Sequence, residues 1–199
     1  MIKNIVFDLG NVLLKGSPSI VLESLEIPDE IYKDIKNKFF ANWEYLDLGE
    51  ETIKEHFNNC KLDFDIDKNI CEILLNYYKY RPFNNEMIEL MNKLKYNNYK
   101  IFILSNNNKE TYEYLKQLPM FELVDGWTVS CNCHIVKPNK EIYIKLFETF
   151  NIRAEECFFI DDNKENVKIA EIFGMKGFVF NNSIDELVNN MKQNNIVLI

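Results

Sequence analysis

The chain of 199 residues is poor in basic residues. It carries 23 Lys and Arg against 31 Asp and Glu, which gives a formal charge of −8. A nucleic-acid-binding domain needs a basic face, and an anionic membrane surface attracts basic segments, so we expect neither as a partner. A small anionic substrate stays open, because one local cation or a bound metal can reverse the sign of the potential inside a cleft.

Long apolar runs and a disulfide pattern are also missing. No apolar stretch reaches the ~18–20 residues that a membrane span needs. The five cysteines are an odd number with no spacing typical of a disulfide framework, which favours reduced thiols and a cytoplasmic location. The apolar run at the N-terminus is too short for a signal peptide. The length predicts one domain, or one domain with an insert.

Short apolar runs alternate with amphipathic segments along most of the chain, and this rhythm predicts an α/β fold. We expect strands at residues 2–7, 100–104, 123–130, 157–160 and 177–180 and, beyond residue 82, helices at 86–95, 110–118, 140–150, 163–173 and 184–192. Mostly apolar strands separated by helices are typical of a parallel sheet covered on both faces. The pattern therefore predicts a Rossmann-like, doubly wound sheet.

Residues 15–81 interrupt that rhythm. Their apolar residues recur at helical spacing, Pro18, Pro28 and Gly49 divide the segment, and none of it has a convincing strand pattern. The segment predicts about four helices. We therefore expect a core domain of residues 1–14 and 82–199 with an inserted all-α helical bundle, a cap, at 15–81.

Polar residues stand where the predicted strands end. Asp8 follows the first strand, Ser105 the second, and Asp161 and Asp162 a later one. Ligands of such sheets bind beyond the carboxyl ends of the strands. Clustered carboxylates repel one another unless a cation lies among them, and Mg²⁺ prefers oxygen ligands. The alternative is that each Asp only caps the turn or helix that follows it.

Four segments in order carry a resemblance to a known family. They are residues 5–13 (IVFDLGNVL), 103–106 (ILSN), 136–143 (VKPNKEIY) and 158–163 (FFIDDN). With them the chain resembles the haloacid dehalogenase superfamily of aspartate-nucleophile phosphohydrolases, in the subgroup with a helical cap. The first segment is most similar to that of bacterial phosphatases that act on sugar phosphates such as α-D-glucose 1-phosphate.

The resemblance implies a role for each matching residue near the nucleophile. Asp8 would be the nucleophile and a ligand of Mg²⁺, and the backbone carbonyl of Gly10 would be a second ligand. Asp161 and Asp162 would complete the metal site. Lys137 would neutralise Asp8 and the phosphoryl group, since an ammonium can stabilise charge that develops during transfer.

The resemblance also implies residues that bind substrate. Ser105 and the backbone N–H of Asn106 would hold phosphoryl oxygens, and Trp43, in a loop of the predicted cap, could stack on a sugar. The expected ligand is a small phosphorylated metabolite, bound by a monomer or homodimer. The alternative for Trp43 is packing between helices or between domains.

Position 10 departs from the family pattern. Most phosphatases of the family carry a second Asp two residues after the nucleophile, which protonates the leaving group, whereas this chain has Gly10. General acid–base help is typically worth ~10²–10⁴ in rate. Water, His56, Glu50 or His134 are the candidates to replace it.

Two function classes follow from the motifs and from Gly10. The first is a Mg²⁺-dependent phosphatase that hydrolyses a small phosphomonoester through an aspartyl-phosphate on Asp8. The second is a catalytically weak phospho-ligand-binding or regulatory protein, which Gly10 favours. A haloacid dehalogenase and a phosphomutase are lesser alternatives. The dehalogenases use no metal and need no adjacent acids such as Asp161 and Asp162, while the mutases depend on the missing acid.

Overall fold

A computed structural model of the chain describes residues 1–23 and 25–198. In that part of the chain five strands form one parallel sheet: β1 (Asn4–Phe7), β2 (Lys100–Ser105), β3 (Gly126–Val129), β4 (Cys157–Asp161) and β5 (Lys176–Val179). Their order in the sheet is β3-β2-β1-β4-β5, and every neighbouring pair is parallel. The predicted α/β fold with a doubly wound parallel sheet is confirmed.

The strands are apolar on both sides because both faces of the sheet are covered. In β1, Ile5 and Phe7 belong to the apolar core on one face, whereas Val6 belongs to the core on the other face. All three side chains are fully buried. A central strand of this kind has no solvated face, so it shows no alternation of polar and apolar residues.

Helices that follow residue 84 cover both faces of the sheet. They are α6 (Asn85–Tyr96), α7 (Lys109–Leu115), α8 (Ser130–Cys133), α9 (Lys140–Phe150), α10 (Lys164–Ile172) and α11 (Ile184–Gln193). Apolar residues of α6, α7 and α11 join the first core, and those of α9 and α10 join the second. The short helix α8 lies at the end of a predicted strand and was not expected.

The segment between β1 and α6 is helical, as expected. It contains a 3₁₀ helix (Pro18–Leu22) and helices α1 (Asp29–Lys38), α2 (Glu44–Asp47), α3 (Ile53–Asn59), α4 (Lys68–Leu75) and α5 (Tyr77–Tyr80). These helices share an apolar core of their own, built around residues such as Phe39, Leu46 and Tyr77. We call residues 15–81 the helical insert. Its role as a cap and its standing as a separate domain stay predictions.

The two chain segments that join the helical insert to the sheet run side by side. Leu14 and Phe83 form an antiparallel bridge, and the guanidinium of Arg81 donates a hydrogen bond to the carbonyl of Gly16. The entering segment, which contains Leu14 and Gly16, and the leaving segment, which contains Arg81 and Phe83, therefore form one hydrogen-bonded pair. We call this pair the connecting ribbon.

Two further expectations can be compared with the structure. Within the described residues, no helix has both the length and the apolar character needed to cross a bilayer. All five cysteines are free thiols, as the sequence predicted.

Candidate active site

The site lies where the order of the strands reverses. β1 and β4 are neighbours, with Phe7 opposite Ile160, and the chain winds outward in opposite directions on either side of them. Asp8 follows β1 directly and Asp161 ends β4. The backbone N–H of Asp8 donates to the carbonyl of Ile160 over 2.9 Å. This topological switch point is where open α/β sheets bind ligands.

Lys137 joins the two carboxylates. Its Nζ lies 2.8 Å from Oδ1 of Asp8 and 2.6 Å from Oδ2 of Asp161. It also donates to the carbonyl of Leu104 over 2.9 Å. All three charged residues are buried, and Asp161 is completely inaccessible. Breaking a buried, hydrogen-bonded ion pair leaves an uncompensated charge in a low-dielectric medium. Each of these three residues therefore holds the other two in place.

Burial and neighbouring charge oppose each other at Asp8 and Lys137. Burial raises the pKa of Asp8 to about 6, the charge of Asp161 adds to this effect, and Lys137 counteracts it. At Lys137 burial lowers the pKa, but the charges of Asp8 and Asp161 outweigh it and hold the pKa above its usual value. The ammonium therefore stays charged wherever the carboxylates ionise.

The adjacent acids of β4 have different surroundings. Asp161 accepts hydrogen bonds from Lys137, from the backbone N–H of Asn163 at 2.8 Å and from the amide of Asn166 at 3.0 Å. The carboxylate of Asp162 accepts one, from Nδ2 of Asn11 at 2.7 Å. Asp161 is thus occupied by protein donors on both oxygens, whereas Asp162 retains lone pairs for a further ligand.

The three carboxylates can hold a metal ion. One ligand oxygen from each of Asp8, Asp161 and Asp162 lies within 4.8 Å of the others. Lys137 is the ammonium that contacts this group, so three ionised carboxylates leave an excess of negative charge. Hard divalent cations with oxygen ligands balance such an arrangement. The donor set therefore fits Mg²⁺.

The second strand brings Ser105 and Asn106 to the same edge. Ser105 is the last residue of β2 and is buried. The side chain of Asn106 forms two hydrogen bonds with the backbone of Lys137: Nδ2 donates to its carbonyl over 3.0 Å, and Oδ1 accepts from its N–H at 2.7 Å. The amide of Asn106 therefore positions Lys137, and the expected contact of its backbone N–H with substrate stays a prediction.

Gly10 leaves space beside Asp8. A Cβ atom at this position would lie 3.6 Å from Oδ2 of Asp8, an ordinary van der Waals contact. Gly10 is also not one of the described residues whose φ is positive. Its backbone therefore does not demand glycine, and the missing side chain leaves open room next to Asp8.

That room belongs to a cavity of about 210 Å³ between the helical insert and the sheet. Its lining residues are Gly10, Asn11, Gly16, Ser17, Pro18, Trp43, Asp47, Tyr77, Arg81, Asn106 and Asn107. Two of them are charged residues that our sequence reasoning did not place in the site, Asp47 and Arg81. Arg81 is one of only two arginines in the chain, and that scarcity is the signal that could have found it.

Asp47 ends the short helix α2 of the insert, and the charge of Asp8 acts on its carboxyl group. Burial raises the pKa of Asp47 to about 7, and the charges of Asp8 and Glu44 add to this, while Lys137 opposes it. The negative charges of Asp8 and Asp47 therefore repel one another when both groups are ionised. Near neutral pH the Asp47 carboxyl is therefore protonated in a substantial part of the molecules.

Asp47→Asn should make the protein more stable in alkaline solution. Folding raises the pKa of this carboxyl above its unfolded value, so the ionised group destabilises the folded protein at high pH and the neutral amide does not. The gain in melting temperature should be largest above pH 7 and should shrink as the pH falls toward 4. Thermal unfolding in EDTA at pH 8 and pH 5 measures it. Asp65→Asn, the same chemical change at an exposed position of the insert, is the control. Equal melting temperatures of Asp47→Asn and wild type at pH 8 contradict this assignment.

The structure does not bring the three sequence-derived replacements for the missing acid into this cavity. His56 is buried inside the insert, with Nδ1 2.5 Å from Glu51 and Nε2 2.6 Å from the carbonyl of Phe39. His134 and Glu50 are exposed. None of the three is among the cavity residues.

Trp43 lines the cavity, but it also packs in the insert. Its ring stacks on Phe40 at a centroid distance of 5.4 Å and meets Tyr77 edge to face at 5.3 Å. The aromatic cluster accounts for its position, so stacking of Trp43 on a substrate stays a prediction.

The chain shows sequence similarity to curated proteins. The bifunctional epoxide hydrolase 2 of Rattus norvegicus is 27% identical over 194 residues, which cover 85% of this chain and 34% of that protein. The chain therefore spans about a third of the epoxide hydrolase. A sesquiterpene phosphatase of Aspergillus oryzae is 26% identical over 92% of this chain and 91% of its own length.

Structural similarity extends over nearly the whole chain. A haloacid dehalogenase-family enzyme of Bacteroides thetaiotaomicron, solved in complex with magnesium and inorganic phosphate, superposes with a TM-score of 0.70 at 20% identity. The match covers 94% of this chain and 99% of that one. Residues 2–174 match the family described as haloacid dehalogenase-like hydrolase. The chain, with its switch-point carboxylates, thus belongs to the haloacid dehalogenase-like hydrolase family.

Proposed function

We propose that this hydrolase is a Mg²⁺-dependent phosphatase that cleaves a small phosphomonoester through an aspartyl-phosphate on Asp8. One observation carries the proposal: a buried carboxylate at the switch point is held 2.8 Å from a buried ammonium and lies in a cluster with two further carboxylates. The names of the Aspergillus phosphatase and of the Bacteroides complex with magnesium and phosphate agree with it.

The reaction divides into two displacements at phosphorus. A carboxylate oxygen of Asp8 forms a bond to phosphorus while the bond from phosphorus to the substrate oxygen breaks, and the departing oxygen takes up a proton. Water then attacks the phosphorus of the aspartyl-phosphate, releases inorganic phosphate and restores the carboxylate. Lys137 keeps Asp8 ionised and balances the charge of the phosphoryl group during both steps.

Asp8, Asp162 and the backbone carbonyl of Gly10 are the residues that we propose to hold Mg²⁺. Asp162 suits this role because its carboxylate accepts a single protein hydrogen bond among the described residues. Asp161 acts mainly by holding Lys137, since protein donors occupy both of its oxygens. Mg²⁺ held by these residues would supply charge neutralisation for the phosphoryl group.

We propose that Ser105 and the backbone N–H of Asn106 bind phosphoryl oxygens. Ser105 ends the strand next to β1. Among the residues that the structure describes, its hydroxyl makes one long contact, 3.4 Å to the carbonyl of Asn106. It is therefore available to donate to an anionic ligand.

The cavity favours a small polar substrate. Its volume of about 210 Å³ is below the ~300–1,000 Å³ of pockets for drug-sized ligands. Asn and Ser side chains line it together with Trp43 and Tyr77. A sugar phosphate matches this size and mixture of hydrogen-bonding and aromatic groups, and it remains the substrate class that we propose.

Gly10 supports one competing function. Without an acid at this position the chain could bind a phosphorylated ligand and turn it over poorly. Carbon–halogen hydrolysis has less support, because the acidic pair Asp161 and Asp162 would lie beside Asp8 without a metal to balance it.

Phosphate release from a panel of substrates tests the proposal. The panel contains sugar phosphates, nucleotides and p-nitrophenyl phosphate, each assayed with Mg²⁺ and again with excess EDTA. We expect release from at least one sugar phosphate with Mg²⁺ and none with EDTA. Binding of these compounds in a thermal-shift assay without any release would instead favour the binding protein, and release that EDTA leaves unchanged would rule out the metal.

Asp162→Asn should raise the Mg²⁺ concentration that gives half-maximal phosphate release, by at least about tenfold. The substitution removes a charged ligand oxygen but keeps the size of the side chain, and ligand charge sets the affinity for hard cations. A Mg²⁺ titration of the steady-state rate measures the change. Asp185→Asn, an exposed aspartate in α11, should leave the curve unchanged. An unaltered Mg²⁺ requirement in Asp162→Asn would remove this residue from the metal site.

A further inference from the structure

We propose that Asp47 of the helical insert is the general acid and base of the reaction, in the place of the side chain that Gly10 lacks. The inference rests on the proposed phosphatase function. Its first support is placement: Asp47 and Gly10 line the same cavity, on opposite sides of the junction between insert and sheet. A substrate that reaches Asp8 through this cavity brings its leaving oxygen between them.

The backbone around Asp47 is fixed against the core of the protein. The hydroxyl of Ser130, in α8, donates to the carbonyl of Asp47 over 2.5 Å, and Nδ1 of His134 lies 2.7 Å from the carbonyl of Leu48. Gly49 packs so closely that a Cβ atom there would lie 2.7 Å from the carbonyl of Cys131. These contacts hold the end of α2 over the active site without using the carboxyl group of Asp47.

That carboxyl group is chemically free. In the described part of the chain its oxygens accept no hydrogen bond, whereas the backbone N–H of Asp47 donates to the carbonyl of Trp43 and its backbone carbonyl accepts from Ser130. The half-buried carboxyl therefore faces a polar cavity without a partner. An oxygen of a bound substrate, or the attacking water, supplies the missing partner.

The protonation state suits both halves of the reaction. Burial first, and then the charge of Asp8, raise the pKa of Asp47 to about 7, with Glu44 adding to this and Lys137 opposing it. The neighbouring Arg81 also lines the cavity. An acid with a pKa near the working pH is the most effective proton donor and acceptor.

The proton balance closes over one turnover. In the first step the Asp47 carboxyl gives its proton to the leaving oxygen as the bond between phosphorus and oxygen breaks. In the second step the Asp47 carboxylate takes a proton from the water that attacks the aspartyl-phosphate. Asp47 and Asp8 then return to their starting states, and no other reactant is consumed.

Leaving-group dependence tests the inference. Asp47→Asn is compared with wild type on an alkyl phosphate, whose leaving group needs a proton, and on p-nitrophenyl phosphate, whose leaving group does not. Single-turnover assays follow release of the alcohol or phenol. We expect the alkyl phosphate rate to fall by ~10²–10⁴, while the nitrophenol burst changes less than about tenfold and is followed by slow phosphate release. Asp65→Asn, the same chemical change at an exposed position of the insert, should resemble wild type on both.

A purely structural role gives a different pattern. If Asp47→Asn slows both substrates equally, or slows neither, the inference is overturned while the phosphatase function stands. If wild type releases no phosphate from any substrate with Mg²⁺, the proposed function itself fails and takes this inference with it.

Restoring an acid at position 10 provides a second test. A side chain there fits beside Asp8, because its Cβ atom would make an ordinary 3.6 Å contact with Oδ2. Gly10→Asp combined with Asp47→Asn should recover at least about tenfold of the lost alkyl phosphate rate. A double variant as slow as Asp47→Asn would overturn the claim that the two positions serve one proton transfer.

Discussion

Asp8→Asn should abolish phosphate release and leave the fold intact. The amide keeps the size of the carboxylate but lacks the charge that attacks phosphorus, and loss of a nucleophile commonly costs on the order of 10⁴–10⁶ in rate. Residual release should be below one part in about 10⁴ on every substrate, p-nitrophenyl phosphate included. Steady-state phosphate release measures activity, and far-UV circular dichroism and thermal unfolding monitor the fold.

The control for this variant is Asp185→Asn, which makes the same chemical change at an exposed position in α11. It should retain full activity. The Asp8→Asn protein should also fail to become labelled when a ³²P-phosphoester is added and quenched in acid, whereas Asp47→Asn should trap label. Full turnover by Asp8→Asn would show that the chemistry does not pass through this residue.

Lys137→Met should be the most destabilising single substitution in the site. Lys137 neutralises Asp8 and Asp161 at 2.8 and 2.6 Å, and its own side chain is 2% exposed. Removing one partner of a buried pair leaves uncompensated charge and typically costs ~3–5 kcal/mol. Urea unfolding in EDTA measures the free energy of unfolding. Phosphate release should also be lost, because the nucleophile is no longer held in its ionised form.

Lys140→Met, an exposed lysine at the start of α9, is the matched control and should change the free energy of unfolding by less than about 0.5 kcal/mol. Lys137 lowers the pKa of Asp8, so its loss lets that buried carboxyl take up a proton at a higher pH than in wild type. The deficit of Lys137→Met should therefore narrow as the pH falls from 8 toward 6. A Lys137→Met protein as stable as wild type at pH 8 would mean that the three charges are not coupled.

The sheet and its polar strand ends were predictable because local sequence specifies them. The strands β1, β2 and β4 are short, mostly apolar runs that end at or just before a polar residue. Helix α9 was expected and is found at residues 140–150. The switch point between β1 and β4 follows from the order of elements. Asp8, Ser105 and Asp161 reach one edge of the sheet for the same reason.

Features that depend on how the insert meets the sheet were not predictable in this way. Asp47 lies on a four-residue helix and has no local motif, and it lines the cavity because α2 is bonded to Ser130 far along the chain. The side chain of Asn106 likewise had no predicted role, yet it binds the backbone of Lys137. Such long-range pairings are set by tertiary packing, which spacing along the sequence does not report.

The connecting ribbon constrains how this protein can open. A single strand of linker allows rotation about several bonds, whereas two segments joined by the Leu14–Phe83 bridge and by Arg81 to Gly16 resist twisting and bend mainly about one axis. Hinge motions of this kind move a packed body as a unit. If the insert moved about this ribbon, the contacts of Ser130 and His134 with α2 would part. The same movement would then carry Asp47 away from Asp8 and admit substrate.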